Sequence, residues 1–278
     1  MSSHNRVLAL TSAAGVAALA GSALGAMSIS PNIVTITATS GANTATLVVP
    51  IVDDPMDALP PVDEYTNLPI ANFLFTGWDW ASQGSFSLVD PNTNFTLLTI
   101  TNLSITSGQT LNTNNGEYRW GHEFDWSIIA GNGDVSVNIT TGVLGIDPLS
   151  FADGRAEMSM NFLHSAGSAP GVTAGGLLDD GYAFNALYSG ASLFREYIHL
   201  GAATTDPTLI FDSGLMAPPG STAPVGATVS SLQAVYAFSL SANDQASSTG
   251  VWGVVPSPGA GALLGLGALG LMRRSRRN

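Results

Sequence analysis

The chain has 278 residues, and 20 acidic against 8 basic residues give it a formal charge of −12. A surface this acidic repels nucleic-acid phosphates and anionic lipid, so nucleic acid is excluded as a partner. The absence of cysteine excludes disulfides, thiolate metal sites, a cysteine nucleophile and a lipidated cysteine anchor.

The first 26 residues carry an address. Arg6 supplies a positive charge, Val7 to Leu24 is apolar, and Ala23-Leu24-Gly25-Ala26 closes the run with small residues. That order of basic, apolar and small residues is a secretory signal peptide, so residues 1–26 are expected to form a signal helix read by the secretion translocon. Arg6 and four C-terminal arginines leave only Arg119, Arg155 and Arg195 in the body, which has no lysine. All 20 acidic residues lie between Asp53 and Asp244, so the body carries a net seventeen negative charges.

Residues 27–250 read as that body, and short strands dominate it. Ile33 to Thr37 and Thr46 to Val52 are β-branched runs separated by the turn-like Ser40-Gly41-Ala42-Asn43. Residues 53–69 hold Pro55, Pro60, Pro61 and Pro69 with five acidic residues, which predicts a loop or a linker between two β units. Ser85 to Val89 alternates, and Asn94 to Thr106 reads as one bent strand or two. Val135, Val137 and Ile139 alternate with Ser136, Asn138 and Thr140, the pattern of a half-buried strand. Met158, Met160 and Phe162 alternate likewise, as do the even positions from Leu232 to Leu240. The only helix candidates are Leu177–Leu187 and Ala191–His199, the second with Leu193, Phe194, Tyr197 and Ile198 at helical spacing. Ala217 to Gly226 reads as a Pro-rich loop, and Asn243 to Thr249 as a Ser-rich spacer before the tail. The fold class is all-β, a β-sandwich or jelly roll, as one large domain or two small ones.

Residues 251–278 form the tail. Pro256-Ser257-Pro258 is stiff and extended, because proline fixes φ and donates no hydrogen bond. Gly259 to Met272 contains only Gly, Ala, Leu and Met, so a helix there is apolar all round and suits lipid. At about 1.5 Å per residue it reaches roughly 21 Å, short of the ~30 Å hydrocarbon core, with Val251 to Val255 available to lengthen it. Arg273, Arg274, Arg276 and Arg277 then resist translocation. Proline pair, apolar helix and arginine cluster, in that order, resemble the PEP-CTERM sorting signal of exported bacterial proteins. Ser257 stands where that family usually has Glu. The resemblance implies a transient membrane tether through the C-terminal hydrophobic helix. It also implies an exosortase that cuts near Pro256–Pro258, discards the helix, and leaves the protein on the cell surface or in the extracellular matrix. The logic parallels other hydrophobic signals that are read and then removed.

Chemistry in the body is sparse. His122-Glu123 lacks the second histidine of a zincin, since Trp126 occupies that place. No Gly-x-Ser-x-Gly elbow occurs. Asp79, Glu117, Glu123 and Asp125 are candidate glycosidase carboxylates. Asp53, Asp54, Asp57, Asp63 and Glu64 are candidate Ca²⁺ ligands, or simply a solvated acidic loop. No other cofactor is expected. Trp78 and Trp80 flank Asp79, Tyr118 and Trp120 flank Arg119, and Phe124 and Trp126 flank Asp125. On strands each such pair shares one sheet face. Trp78, Trp80, Tyr118, Trp120 and Trp126 therefore form either a glycan-stacking platform or the filling of a sandwich core. The expected function is non-enzymatic: an exported structural or adhesive protein associated with exopolysaccharide, as the family's loci imply. The alternative is a secreted carbohydrate-binding or glycoside-hydrolase-like protein.

Overall fold

The structure is a computed structural model, and it describes residues 27–51, 56–59, 73–112, 117–164, 172–200, 208–211 and 221–257. The expected signal helix and the tail from Pro258 onward lie outside the described residues. In chain order the described strands begin with β1 (Ser28–Ile29), β2 (Asn32–Ser40), β3 (Asn43–Pro50), β4 (Met56–Leu59), β5 (Phe73–Ala81) and β6 (Phe86–Val89). Then come β7 (Thr96–Asn112), β8 (Glu117–Ala130), β9 (Val135–Thr141), β10 (Leu144–Leu149), β11 (Ala152–Leu163) and β12 (Ala174–Gly176). The last are β13 (Tyr182–Tyr188), β14 (Ser192–His199), β15 (Thr208–Phe211), β16 (Ala223–Pro224), β17 (Val229–Leu240) and β18 (Gln245–Pro256).

These strands make two nine-stranded antiparallel sheets packed as a β-sandwich. Sheet A runs β1-β10-β17-β9-β2-β3, with β12, β13 and β14 joined beside β17. Sheet B runs β15-β11-β18-β8-β7-β5-β4, with β6 on β7 and β16 on β11. Alternation drives the packing, because one parity of each strand faces the other sheet. Val135, Val137 and Ile139 are buried together, as are Met158, Met160 and Phe162, and the even positions of β17 from Leu232 to Leu240. The expected run from Asn94 to Thr106 lies almost wholly in one long bent strand, β7, which starts at Thr96 and has a register shift between Ile100 and Asn102.

An aromatic layer fills the middle. Trp126 of β8 stacks on Phe238 of β17 at 5.4 Å and meets Tyr236 edge-on at 5.4 Å. Phe124 meets Tyr236 at 5.3 Å, Phe162 meets Phe238 at 5.9 Å, and Phe194 of β14 stacks on Trp252 of β18 at 4.8 Å. Every one of these pairs joins the two sheets, and each contributes about 0.5–1.5 kcal/mol beyond area burial.

Three expectations change. Leu177–Leu187 and Ala191–His199 are not helices. The first follows β12 and holds a 3₁₀ turn at Asp179–Gly181 and most of β13, and the second lies in a turn and β14. Residues four apart share a face in a strand as well as in a helix, so burial of Phe194 and Ile198 fits either period. Asn243 to Thr249 is not a spacer. After a tight turn, β18 runs from Gln245 to Pro256 in the centre of sheet B, so the body extends past residue 250. Val251 to Val255 is likewise strand rather than membrane helix, with Trp252, Val254 and Val255 buried. Among the described residues no helix is long and apolar enough to cross a membrane.

Candidate functional site

The five residues proposed as a glycan platform do not share an exposed face. Trp126 is 1% exposed and Trp120 7%, both pointing from β8 into the sandwich. Trp78 and Trp80 are half-buried against the core from β5, which register places beside Ser107 and Ile105 on the same inner face. Tyr118 lies on β8, but its side chain is outside the described residues. The pairwise facing expected from sequence is correct for the tryptophans, and the face is the inner one.

Several interior polar groups form clasps between the sheets, where burial removes water and a protein partner replaces it. His122 is fully buried, its Nε2 lies 3.2 Å from the Leu232 carbonyl, and its Nδ1 lies 2.7 Å from Ser107 Oγ. A carbonyl only accepts, so Nε2 carries the proton and Nδ1 accepts from the serine hydroxyl. Burial opposes the charged form and lowers the His122 pKa to about 4, although the Leu232 carbonyl pulls the other way. Trp252 Nε1 donates to the Leu187 carbonyl at 2.8 Å, and Ser248 Oγ donates to Tyr236 Oη at 3.3 Å. Burial also pushes the Tyr236 hydroxyl well above the usual phenol range. Ser107 and His122 resemble half of a hydrolase pair in composition only, since both are fully enclosed and both imidazole nitrogens are engaged. No sequence motif marks this pair, because strand register, not spacing, brings the two residues together.

Asp90 is a fourth link between the sheets. Its carboxylate accepts N–H bonds from Thr44 of β3 at 2.7 Å, from Asn92 at 2.8 Å and from Thr93 at 3.1 Å. The Thr44 bond contributes most to lowering its pKa. At one end of the sandwich, buried Asp244 accepts from Ser241 and pairs with His164 at 3.1 Å. Elsewhere, Arg155 pairs with Glu157 two residues along β11, and Arg195 lies over the Phe194 ring.

The two outward faces differ in chemistry. On sheet B, one register row reads Asp79, Thr106, Glu123, Val251, Glu157, and the next holds Ser104, Asp125, Thr249 and Ser159. A third row is Gly77, Gly108, Gly121, Gly253 and then Arg155. A Cβ at Gly108 would stand 2.4 Å from the Thr76 carbonyl oxygen, and one at Gly121 2.5 Å from that of Trp252. The glycines thus let backbones approach where side chains cannot fit. Asp79, Glu123 and Asp125 all stand on this one open face; the Glu117 side chain lies outside the described residues. Glycoside hydrolysis uses two carboxyls flanking the scissile bond, and Glu123 and Asp125, two residues apart on β8, are neighbours on this face. The outer face of sheet A carries no charge in β2, β3, β9 or β17.

Of the calcium candidates, Asp53, Asp54, Asp63 and Glu64 lie outside the described residues, and Asp57 sits on β4 with its side chain undescribed. Among the described residues no three His, Asp or Glu side chains gather to hold a metal ion. Of the sorting segment, Pro256 is exposed at the end of β18, and Ser257 N donates to the Phe151 carbonyl at 3.0 Å. Pro258, Arg273, Arg274, Arg276 and Arg277 lie outside the described residues.

No family model and no curated protein matches this sequence. Among solved structures, the infectious bursal disease virus Gt strain aligns with 81% of this chain and 56% of its own, at 10% identity and a TM-score of 0.28. The Gx strain of the same virus aligns with 84% of this chain and 70% of its own, at 11% identity and a TM-score of 0.23. The chain thus spans just over half the length of the first of these.

Proposed function

We propose that the protein is an exported cell-surface or extracellular-matrix component with a structural or adhesive role in exopolysaccharide. On this reading the signal helix 1–26 takes it through the translocon. The apolar C-terminal helix holds it in the membrane until an exosortase-type enzyme cuts near Pro256–Pro258. The observation that carries the reading is where the body ends. β18 lies between β11 and β8, aligned over 12 residue pairs with the first and 10 with the second. It gives way to the tail at exposed Pro256, with Ser257 tied back to Phe151. Cleavage after Pro258 leaves every strand of the body intact. Before cleavage, a pull on the tail loads β18 along its length, so both ladders must shear together. That geometry suits a body held to a membrane and then to a matrix.

The test is mass spectrometry of the C-terminus of the exported protein. The expected mature chain ends near residue 258, and substitution of Arg273, Arg274, Arg276 and Arg277 together causes unprocessed chain to accumulate. Recovery of the exported wild-type chain with Arg277 intact overturns the sorting reading.

A further inference from the structure

The outer face of sheet A is a register-matched array of neutral polar side chains. Three rows cross β3, β2, β9 and β17 in that order. They read Thr44, Thr39, Ser136, Ser239; then Thr46, Thr37, Asn138, Ala237; then Val48, Thr35, Thr140, Val235. Nine of these twelve positions carry a hydroxyl or an amide, and none carries a charge. With strands about 4.8 Å apart and about 6.8 Å between same-face residues, the patch measures roughly 14 Å each way. Its side chains are held in place. Thr37 and Thr46 hydroxyls lie 3.2 Å apart, those of Thr39 and Thr44 3.3 Å apart, and Thr140 Oγ1 donates to Asn138 Oδ1 at 2.9 Å. Thr44, Thr46, Val48, Ser136 and Asn138 are exposed.

We propose that this face docks an uncharged, hydroxyl-rich polysaccharide; the proposal deepens the matrix reading above and rests on it. The chemistry of the face selects the partner. A hydroxyl both donates and accepts, as the hydroxyls of a neutral sugar require. Threonine adds a methyl group for the apolar faces of the sugar rings, and its branched Cβ restricts rotation, so little side-chain entropy is lost on contact. Charge argues the same way. In a body with seventeen net negative charges, this is a surface from which charge is absent, so an anionic polymer is repelled overall and finds no local cation. A protein partner would seek aromatic or arginine anchors, and the array has neither. An anionic membrane surface would seek lysine or arginine, and these four strands have none.

The experiment is co-sedimentation of the full exported protein with insoluble particles. The neutral probes are cellulose, insoluble mannan and agarose beads, the anionic probe is carboxymethyl-agarose beads without divalent cations, and each is run at low and moderate salt. The expected result is retention on at least one neutral polymer with little salt dependence, and none on the carboxymethyl beads. The double variant Thr39→Glu, Asn138→Asp should weaken that retention by about tenfold or more, because a carboxylate pressed against a neutral polymer loses its water without gaining a partner. The control Ser104→Glu, Ser159→Glu, on the outer face of sheet B, should bind as the parent does. Unchanged melting of both variants guards against misfolding, and Thr39→Ser should retain binding. No retention on any neutral polymer, or retention indifferent to the sheet A charges, overturns the proposal. Mass spectrometry of the same samples separates the two readings: a correctly trimmed chain that does not bind defeats only the docking face, and a binding chain with an intact tail defeats only the sorting signal.

Discussion

The two outer faces of the sandwich are built by the same alternation and carry opposite chemistry. Sheet B shows water Asp79 and Glu123, with Asp125 half-buried beside them and a row of four glycines of which Gly77 and Gly108 are buried. Sheet A shows threonine, serine and asparagine in register and no charge on its four contiguous strands. The inner faces do not differ in this way; both supply large apolar and aromatic side chains to a single core. Core chemistry is thus fixed by the fold, whereas face chemistry is free to serve contact on one side and repulsion on the other.

The comparison breaks first if the shared core fails. Trp126→Ala removes the ring that touches both Tyr236 and Phe238 and should cost about 3–5 kcal/mol in urea unfolding. An equal loss of cooperativity in both sheets by hydrogen exchange is the expected companion result. Loss confined to sheet B would mean that the two sheets have separate cores.

The glycine row sharpens the contrast next. Gly108→Val places side-chain atoms against the Thr76 carbonyl and the Phe75 ring, and should cost about 3 kcal/mol. Thr37→Val on the neutral face should change stability by no more than about 0.5 kcal/mol. Similar costs at both positions would show that the neutral face is packed under something.

The His122 clasp predicts acid sensitivity with a definite sign. Its pKa falls from 6.5 in the unfolded chain to about 4 in the fold. Between those values the unfolded state binds a proton that the folded state refuses, so stability falls as pH drops through the window. The difference of about 2.5 pH units is worth roughly 3 kcal/mol at most. Denaturant midpoints from pH 7 to 4 should show this slope, and His122→Gln should flatten it. A slope unchanged in that variant would remove His122 as its source.

Much of this architecture is legible in the sequence, and the exceptions have causes. Val135, Val137 and Ile139 announce their strand because each inward residue is large and each outward one polar. β18 is silent by the same measure. Its inward positions include Ala246, Ser248 and Gly250, which are small, and Ser248 is held by Tyr236 rather than by its own hydrophobicity. A central strand therefore reads as a linker. Spacing two apart puts Trp78 with Trp80 and Phe124 with Trp126 on one face of a strand, but sequence parity does not tell whether that face is covered. The neutral array is visible in outline as Thr35-Ile36-Thr37-Ala38-Thr39, but its extension over four strands needs the register of β2 with β3 and β9.

A smaller effect is expected at Asp90. Its folded pKa is depressed, chiefly by the Thr44 N–H, so its contribution is present above the unfolded value of 3.8 and disappears as pH falls through the folded one. Asp90→Asn should lower the melting temperature at pH 7 and converge with the parent near pH 2. Smallest is the salt effect. Melting should rise from low to moderate NaCl because the Debye length falls from about 30 Å at 0.01 M to about 8 Å at physiological ionic strength. Asp79→Asn should reduce the rise on the acidic face, and Asn138→Asp should increase it.

The neutral face is tested most directly by hydrogen–deuterium exchange of the full chain with and without the neutral polysaccharide that retains it. The account predicts slowed exchange in β3 and in the peptides of β2 and β9, with β5, β7 and β8 of sheet B unchanged. Protection confined to sheet B, around Asp79 and Glu123, would contradict it.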